Sequence, residues 1–134
     1  MTGLTTTDGA TLFSNMAFKG ADANRGSSLQ LGLFTNASGL TSATVLASIT
    51  EPTGGAYARI TLADASWSVS AGIASYALQT FTATGSGYTG TIYGYFIAST
   101  GTTPKLLALE IDPSGSFNMA IGDTYAVTPS VTIS

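Results

Sequence analysis

Apolar and polar residues alternate in short runs from Leu29 to the end of the chain. The clearest runs are LQLGLFT, SATVLASIT, AYARITL, ASYALQTFTAT and TYAVTPSVTIS. Successive side chains of a β-strand point to opposite faces, so a repeat of two residues is typical of strands with one buried face. The run TGTIYGYFIAS is also rich in the aromatic and β-branched residues that suit a pleated sheet. This alternation predicts that most of the chain is β-structure.

Turn-forming residues separate these runs, at Asn36–Gly39, Glu51–Gly55, Ser70–Gly72, Ser99–Pro104 and Asp112–Gly115. About eight short strands at this spacing predict a sandwich or a jelly roll. Pro129 interrupts the last run, which indicates an edge strand or a break. We therefore expect an all-β fold, a jelly-roll-like antiparallel β-sandwich over residues 29–134. No alternation of strands and helices is present, which argues against the α/β folds that bind nucleotides.

One short helix is expected before the strands, over residues 8–19. Its apolar residues Leu12, Phe13, Met16 and Ala17 have the spacing of one helix face. Asp8 or Thr7 is the expected N-terminal cap, and Gly20 stands where a glycine would end the helix.

The chain is predicted to divide at residue 28. Residues 1–28 form an N-terminal arm and the short helix, and residues 29–134 form the β-sandwich domain. Met1–Thr7 has no apolar pattern, so we interpret it as a disordered arm that orders on binding.

Charged residues make up only 8% of the chain, against about 25% in an average soluble domain. Either Thr, Ser and Gly keep the surface polar, or much of the surface is covered in an assembly. We favour the second interpretation, because a free monomer with so few charges has little protection against association. The net charge of −3 and four scattered cations give no grip on nucleic-acid phosphates. No apolar run is long enough to span a bilayer, so neither nucleic acid nor membrane is an expected partner.

The chain contains no His and no Cys. Histidine is the commonest general base near neutral pH and a common zinc ligand, and thiolate chemistry needs cysteine. We therefore expect no enzyme activity, no catalytic residues, no cofactor and no metal site.

The glycine motif at Gly85–Gly90 has the spacing G-x-G-x-x-G of dinucleotide-binding proteins. That motif needs a following helix whose N-terminus meets the pyrophosphate. Here a predicted strand follows, so we interpret the motif as a flexible hairpin connection. The sequon at Asn36 is likewise interpreted as a turn.

The carboxylates Asp64, Glu110, Asp112 and Asp123 suggest a calcium site or a hydrolase pair at first sight. Their spacing is not that of a calcium loop, and local turn roles account for Asp112 and Asp123. Arg59 and Glu110 each stand alone in an otherwise uncharged run, so we predict a cross-strand ion pair between them if their strands are neighbours.

Five residues are candidates for an interface: Phe13, Met16, Trp67, Tyr93 and Tyr95. Trp67 is the only tryptophan, and either a core anchor or a contact residue fits it, with the core favoured. Tyr93 and Tyr95 are predicted to share one strand face, which suits either sheet packing or a platform for sugar. Phe13 and Met16 would dock the helix on the β-domain or on another subunit.

The segments LQLGLFTN, TVLASITEP, GGAYARITL, IYGYFI, LLALEI and GDTYAVTPSV together resemble the small β-rich virion proteins of tailed bacteriophages. The resemblance covers nearly the whole chain. Its most specific pieces are residues 31–36, 57–62, 92–97 and 122–129, and none of them is a catalytic motif.

The resemblance implies a capsid decoration (cement) protein on the capsid surface of the virion. Such a protein would bind the major capsid protein and other virion subunits and stabilise the head. It would be a homo-oligomer, with a symmetric trimer favoured. The alternative is a tail-associated module, a β-sandwich that binds a receptor or carbohydrate through Tyr93 and Tyr95. A third and weaker hypothesis is that the chain is a glycosidase that uses two carboxylates.

Overall fold

In a computed structural model, residues 4–133 are described, and they form ten strands and one α-helix. In chain order these are β1 (Leu4–Thr5), α1 (Thr7–Lys19), β2 (Leu29–Phe34), β3 (Ile60–Leu62), β4 (Ser68–Ser70), β5 (Ile73–Ser75), β6 (Gln79–Thr82), β7 (Gly94–Ser99), β8 (Leu106–Ile111), β9 (Thr124–Val127) and β10 (Ser130–Thr132). Two short 3₁₀ turns lie at Leu46–Ser48 and Asp64–Ser66. The expected β-rich fold with one short N-terminal helix is confirmed.

The strands form three antiparallel sheets. The largest has the order β1-β8-β7-β2-β3, and the others are β10-β5-β4 and β6-β9. The two smaller sheets are joined end to end, because the Tyr76 N–H donates to the Pro129 carbonyl at 2.9 Å between them. Residues 73–82 and 124–132 therefore run as one long, interrupted ladder. Pro129 lies at the interruption, as the sequence predicted.

The largest sheet is covered on both faces. One face packs on the interrupted ladder through a core that includes Leu31, Ile97, Phe81 and Val127. The other face carries a second core, whose buried members are Phe34, Phe96, Ala98, Leu106 and Leu109. All six residues of β7 are buried as a result. β7 is thus the central strand of the molecule.

Residues 45–50, expected to alternate as a strand, form a 3₁₀ turn and loop instead. Their backbone is held by the Asn36 side chain, which donates to the Ser48 carbonyl at 3.0 Å and accepts from the Thr50 N–H at 2.8 Å. Leu46 and Ile49 lie against the second core. Val45 and Ala47, which the alternation placed on the same face as Ile49, are exposed, so both the strand geometry and the predicted face of this run were wrong. Asn36 acts as a loop anchor here.

Helix α1 begins one residue earlier than predicted, and Thr6 is its cap, rather than Asp8 or Thr7. The Thr6 hydroxyl accepts from the Gly9 N–H at 3.0 Å, which satisfies one of the free donors of the first turn. Gly20 ends the helix with φ 76°, a left-handed conformation that glycine adopts without strain. Leu12 is only 2% exposed and joins the core beside β8.

Residues 4–7 are not an arm. Leu4 pairs with Leu109, and Thr5 pairs with Ala108, so β1 extends the largest sheet at its edge. The interpretation of Met1–Thr7 as a disordered arm is therefore wrong for residues 4–7, and Met1–Gly3 lie outside the described residues. The helix and the strands share one core.

The predicted ion pair between Arg59 and Glu110 is wrong. Glu110 belongs to β8, which two strands separate from β3 in the sheet order. Arg59 instead bonds both carboxylate oxygens of Glu51, at 3.0 and 2.8 Å. The Tyr57 hydroxyl donates to the same carboxylate at 2.7 Å and accepts from the Leu33 N–H at 2.9 Å. This network ties the loop before β3 to β2.

The Glu51 carboxylate is expected to make stability depend on pH. Its partial burial acts to raise its pKa, but hydrogen bonds from Arg59 and Tyr57 outweigh that effect and lower the pKa below its ordinary value. A lowered pKa stabilises the fold above the unfolded value of about 4.3, and the contribution is lost as the pH falls through the folded pKa. We expect Glu51→Gln to cost about 1–2 kcal/mol at pH 7. The difference in unfolding free energy between the variant and the wild type should shrink below pH about 4. Urea unfolding at several pH values measures it. A difference that does not change with pH would contradict this account.

Candidate functional site

An apolar groove lies between helix α1, the largest sheet and the β10-β5-β4 sheet. We call it the Trp67 groove. It encloses about 250 Å³. Its apolar lining is formed mainly by Phe13, Leu29, Trp67, Val69, Leu107 and Ile133. Phe13 comes from α1, Leu107 from β8, and Trp67 and Val69 from the segment that enters and forms β4. Three elements distant in sequence therefore meet at one surface depression.

Trp67 anchors one wall of the groove. Its ring meets the Tyr76 ring edge to face, with centroids 5.2 Å apart, and both pack against the main core. This geometry is favourable for aromatic pairs. The Trp67 Nε1 atom is buried and has no hydrogen-bond partner among the described residues. Trp67 is therefore chiefly a core anchor, as favoured from the sequence, with one side facing the groove.

An ion pair closes one end of the groove. Arg25 Nη2 lies 2.5 Å from Asp64 Oδ1, with the arginine side chain largely buried and the aspartate exposed. The two charges compensate each other at the rim. The groove thus offers apolar surface with no net charge, which suits an uncharged occupant.

A second depression, of about 160 Å³, is lined by two carboxylates, Glu110 in β8 and Asp112 just after it. The Tyr95 hydroxyl donates to Glu110 Oε2 at 2.7 Å, and the Tyr125 hydroxyl donates to the Asp112 carboxylate. Burial, followed by the hydrogen bond to the neighbouring carboxylate, raises the pKa of both tyrosines. Both phenols therefore stay protonated as donors. Each carboxylate already accepts a hydrogen bond, so the arrangement has the features of an internal brace.

The remaining carboxylates singled out from the sequence have local roles. Asp112 also accepts from the Ser114 N–H at 2.8 Å, and its carbonyl accepts from the Gly115 N–H at 3.1 Å, as expected for the predicted turn. Asp123 accepts from the Ala120 N–H at 2.9 Å. Within residues 4–133, no three potential metal ligands come together.

The structure brings together two of the five interface candidates. Phe13 and Trp67 both line the Trp67 groove. Met16 lies further along α1 and is 37% exposed, without lining the groove. Whether any of these residues contacts a partner stays a prediction.

The prediction that Tyr93 and Tyr95 share one strand face is wrong, and with it falls the alternative of an aromatic platform. Tyr95 is 7% exposed and belongs to the main core, whereas Tyr93 packs against the second core on the opposite face of the sheet. The chain is irregular before β7 begins at Gly94, and this irregularity breaks the two-residue repeat that had placed both rings together. No shared sugar-binding face results.

Val69 is one of the groove residues that sequence reasoning missed, along with Leu29, Leu107 and Ile133. Its side chain is 73% exposed, although valine favours burial. One signal was present: the chain has no charged residue between Asp64 and Lys105. A valine between two serines in such a segment has no charged neighbour to keep it solvated.

The glycine motif Gly85–Gly90 is a loop, and it leads to β7 rather than to a helix. The rejection of a dinucleotide site on this ground is therefore supported by the local structure. In the part of the chain that is described, no helix has the length and apolarity needed to cross a membrane. Compared with known proteins, the chain matches no family model and no curated sequence.

Proposed function

We propose that the chain is a non-catalytic structural protein of a tailed-phage virion. In this proposal it is a decoration (cement) protein that binds the major capsid protein on the capsid surface and stabilises the head. The fold is proposed to be a jelly-roll-like sandwich. Support for that finer description comes from β2, which pairs with the distant strand β7, and from the two covered layers.

The Trp67 groove is the observation that carries the proposal. Its apolar walls are open to solvent, and Val69 at its edge is largely exposed. Exposed apolar surface of this kind marks sites of contact with a protein, a membrane or a ligand. The scarcity of charge across the chain fits a surface that is covered in an assembly.

The carboxylates support a non-catalytic role. A retaining or inverting glycosidase needs two carboxylates that face a substrate across a cleft. Here Glu110, in β8, and Asp112, just after the end of that strand, each accept a hydrogen bond from a tyrosine hydroxyl. Asp64 is paired with Arg25. These groups are engaged in holding the fold together. The tail-associated, sugar-binding alternative loses its candidate platform, because Tyr95 is buried.

The proposal predicts saturable binding to phage heads. Purified protein is mixed with heads of the encoding phage that were assembled without it, and the bound amount is measured by co-sedimentation. We expect a plateau at a fixed number of copies per head, and a higher temperature of head disruption. Heads that already carry the protein are the matched control and should bind no more. Binding to host polysaccharide but not to heads would support the tail-associated alternative and contradict the proposal.

A further inference from the structure

Strand β4 forms a free edge of the β10-β5-β4 sheet. It pairs only with β5, in the register Ser68↔Ser75, Val69↔Ala74 and Ser70↔Ile73. No hydrogen bond joins the opposite side of β4 to another described residue. All three of its residues are exposed. The backbone of this edge is therefore open to a further strand.

The hairpin geometry defines which groups face outward. Ala71 and Gly72 both have positive φ, 51° and 77°, as in the type I′ turn that joins two strands directly. In such a hairpin the pair next to the turn, Ser70 and Ile73, is hydrogen-bonded. The next pair is not, so the N–H and C=O of Val69 point away from β5. Val69 thus presents one donor and one acceptor at the free edge.

At three residues β4 is short, which is one protection that edge strands use, but it carries neither a charged residue nor a proline to block pairing. Natural edge strands carry charged residues, proline, a bulge or a covering loop. β4 has no proline, and the segment between Asp64 and Lys105 has no charge. The Val69 side chain, 73% exposed, lies at the mouth of the Trp67 groove beside this edge. The unpaired backbone of β4 and the exposed Val69 side chain therefore lie side by side on one open surface.

We propose that β4 pairs with β4 of a second copy of this chain, antiparallel across a two-fold axis at Val69. The two Val69 residues would then exchange N–H···O=C bonds in both directions, and the two three-stranded sheets would become one six-stranded sheet. Each Val69 side chain would cover the neighbouring one at the mouths of the two Trp67 grooves.

Charge and sequence favour a second copy as the occupant. The edge and the groove are neutral, since Arg25 and Asp64 compensate each other, so two copies meet without repulsion. The edge Ser68-Val69-Ser70 reads the same in both directions, so that serine faces serine and valine faces valine across the axis. A contact of two main-chain bonds and one apolar pair is small, and small interfaces are weak. Many copies on one surface would strengthen it by avidity.

A cysteine trap tests this contact, because the natural chain has no cysteine. In a hydrogen-bonded antiparallel pair the facing Cα atoms are about 5.5 Å apart, which a disulfide can bridge. We expect Val69→Cys to form a covalent dimer under mild oxidation. Ile121→Cys is the matched control: Ile121 is 64% exposed, next to β9 at the far end of the ladder, and should remain largely monomeric. Equal cross-linking of the two variants would overturn the proposal.

Sedimentation equilibrium gives an independent measurement. The wild type should pass from monomer to dimer with rising concentration, and Val69→Lys should stay monomeric, because two lysines would face each other at the axis. Ile121→Lys, with the same change in charge, should associate like the wild type. Because the contact is weak, the comparison extends to the highest concentration at which the protein stays in solution; a wild type still monomeric there, or one that forms trimers, would contradict the two-fold contact. Co-sedimentation with heads is scored separately, so a monomer that still binds heads would refute only this contact and leave the proposed function standing.

Discussion

Replacing Phe96 with alanine is expected to lower the free energy of unfolding by about 3–5 kcal/mol, the usual cost of removing a buried phenylalanine ring. Phe96 is 0% exposed at the centre of β7. Its ring lies over Gly32 of β2, its register partner, so closely that a Cβ on Gly32 would stand 2.3 Å from the ring. The Arg59 guanidinium also lies over the Phe96 ring, 5.2 Å from its centroid. One ring thus joins β2, β7 and the loop before β3.

Urea unfolding followed by circular dichroism measures this loss. Phe18→Ala is the control, because Phe18 is 89% exposed on α1 and its removal should change stability by less than about 0.5 kcal/mol. Similar effects of the two variants would show that the second core does not contribute as described.

Replacing Gly94 with alanine is expected to be nearly as damaging, at about 3 kcal/mol, the upper end for overpacking a core. A Cβ at this position would lie 1.9 Å from the Glu110 carbonyl oxygen and 2.7 Å from Phe34 Cζ. The carbonyl belongs to β8, so relief requires the two strands to separate. Gly94 is therefore needed for the close approach of β7 and β8, rather than for backbone freedom.

Gly85→Ala separates this clash from ordinary glycine effects. Nothing lies within 4 Å of a Cβ built on Gly85, and its φ is +76°. Its only expected cost is that of the left-handed conformation, about 1–2 kcal/mol. Thermal unfolding of both variants measures the difference. A smaller loss for Gly94→Ala than for Gly85→Ala would contradict the packing of β7 on β8.

The strands with regular alternation could be predicted from the sequence, because their apolar faces meet a core on the expected side. The alternation in LQLGLFT gave β2, and the helix with its closing Gly20 was also predictable. The strand expected at 45–50 failed, since Asn36, a side chain distant in sequence, holds that backbone as a loop. No local pattern indicates such a contact.

The candidate site was less predictable than the fold. The groove depends on which segments meet in space: β2 and β3 separate Phe13 from Trp67 in sequence, yet both residues line it. Tyr95 was misplaced because the chain is irregular just before β7, which shifts the two-residue repeat. Arg59 was assigned the wrong partner because Glu51, in a loop, reaches it and Glu110 in β8 does not.

Cryo-EM of the virion tests the central claim most directly. The virion of the phage that the proposal assigns to this chain is reconstructed, and the chain is sought by its two-layer fold with one helix. The account predicts density for this fold on the outer surface of the head, in contact with the major capsid protein and absent from heads made without the chain. Density at the tail tip, or particles that lack the chain entirely, would contradict it.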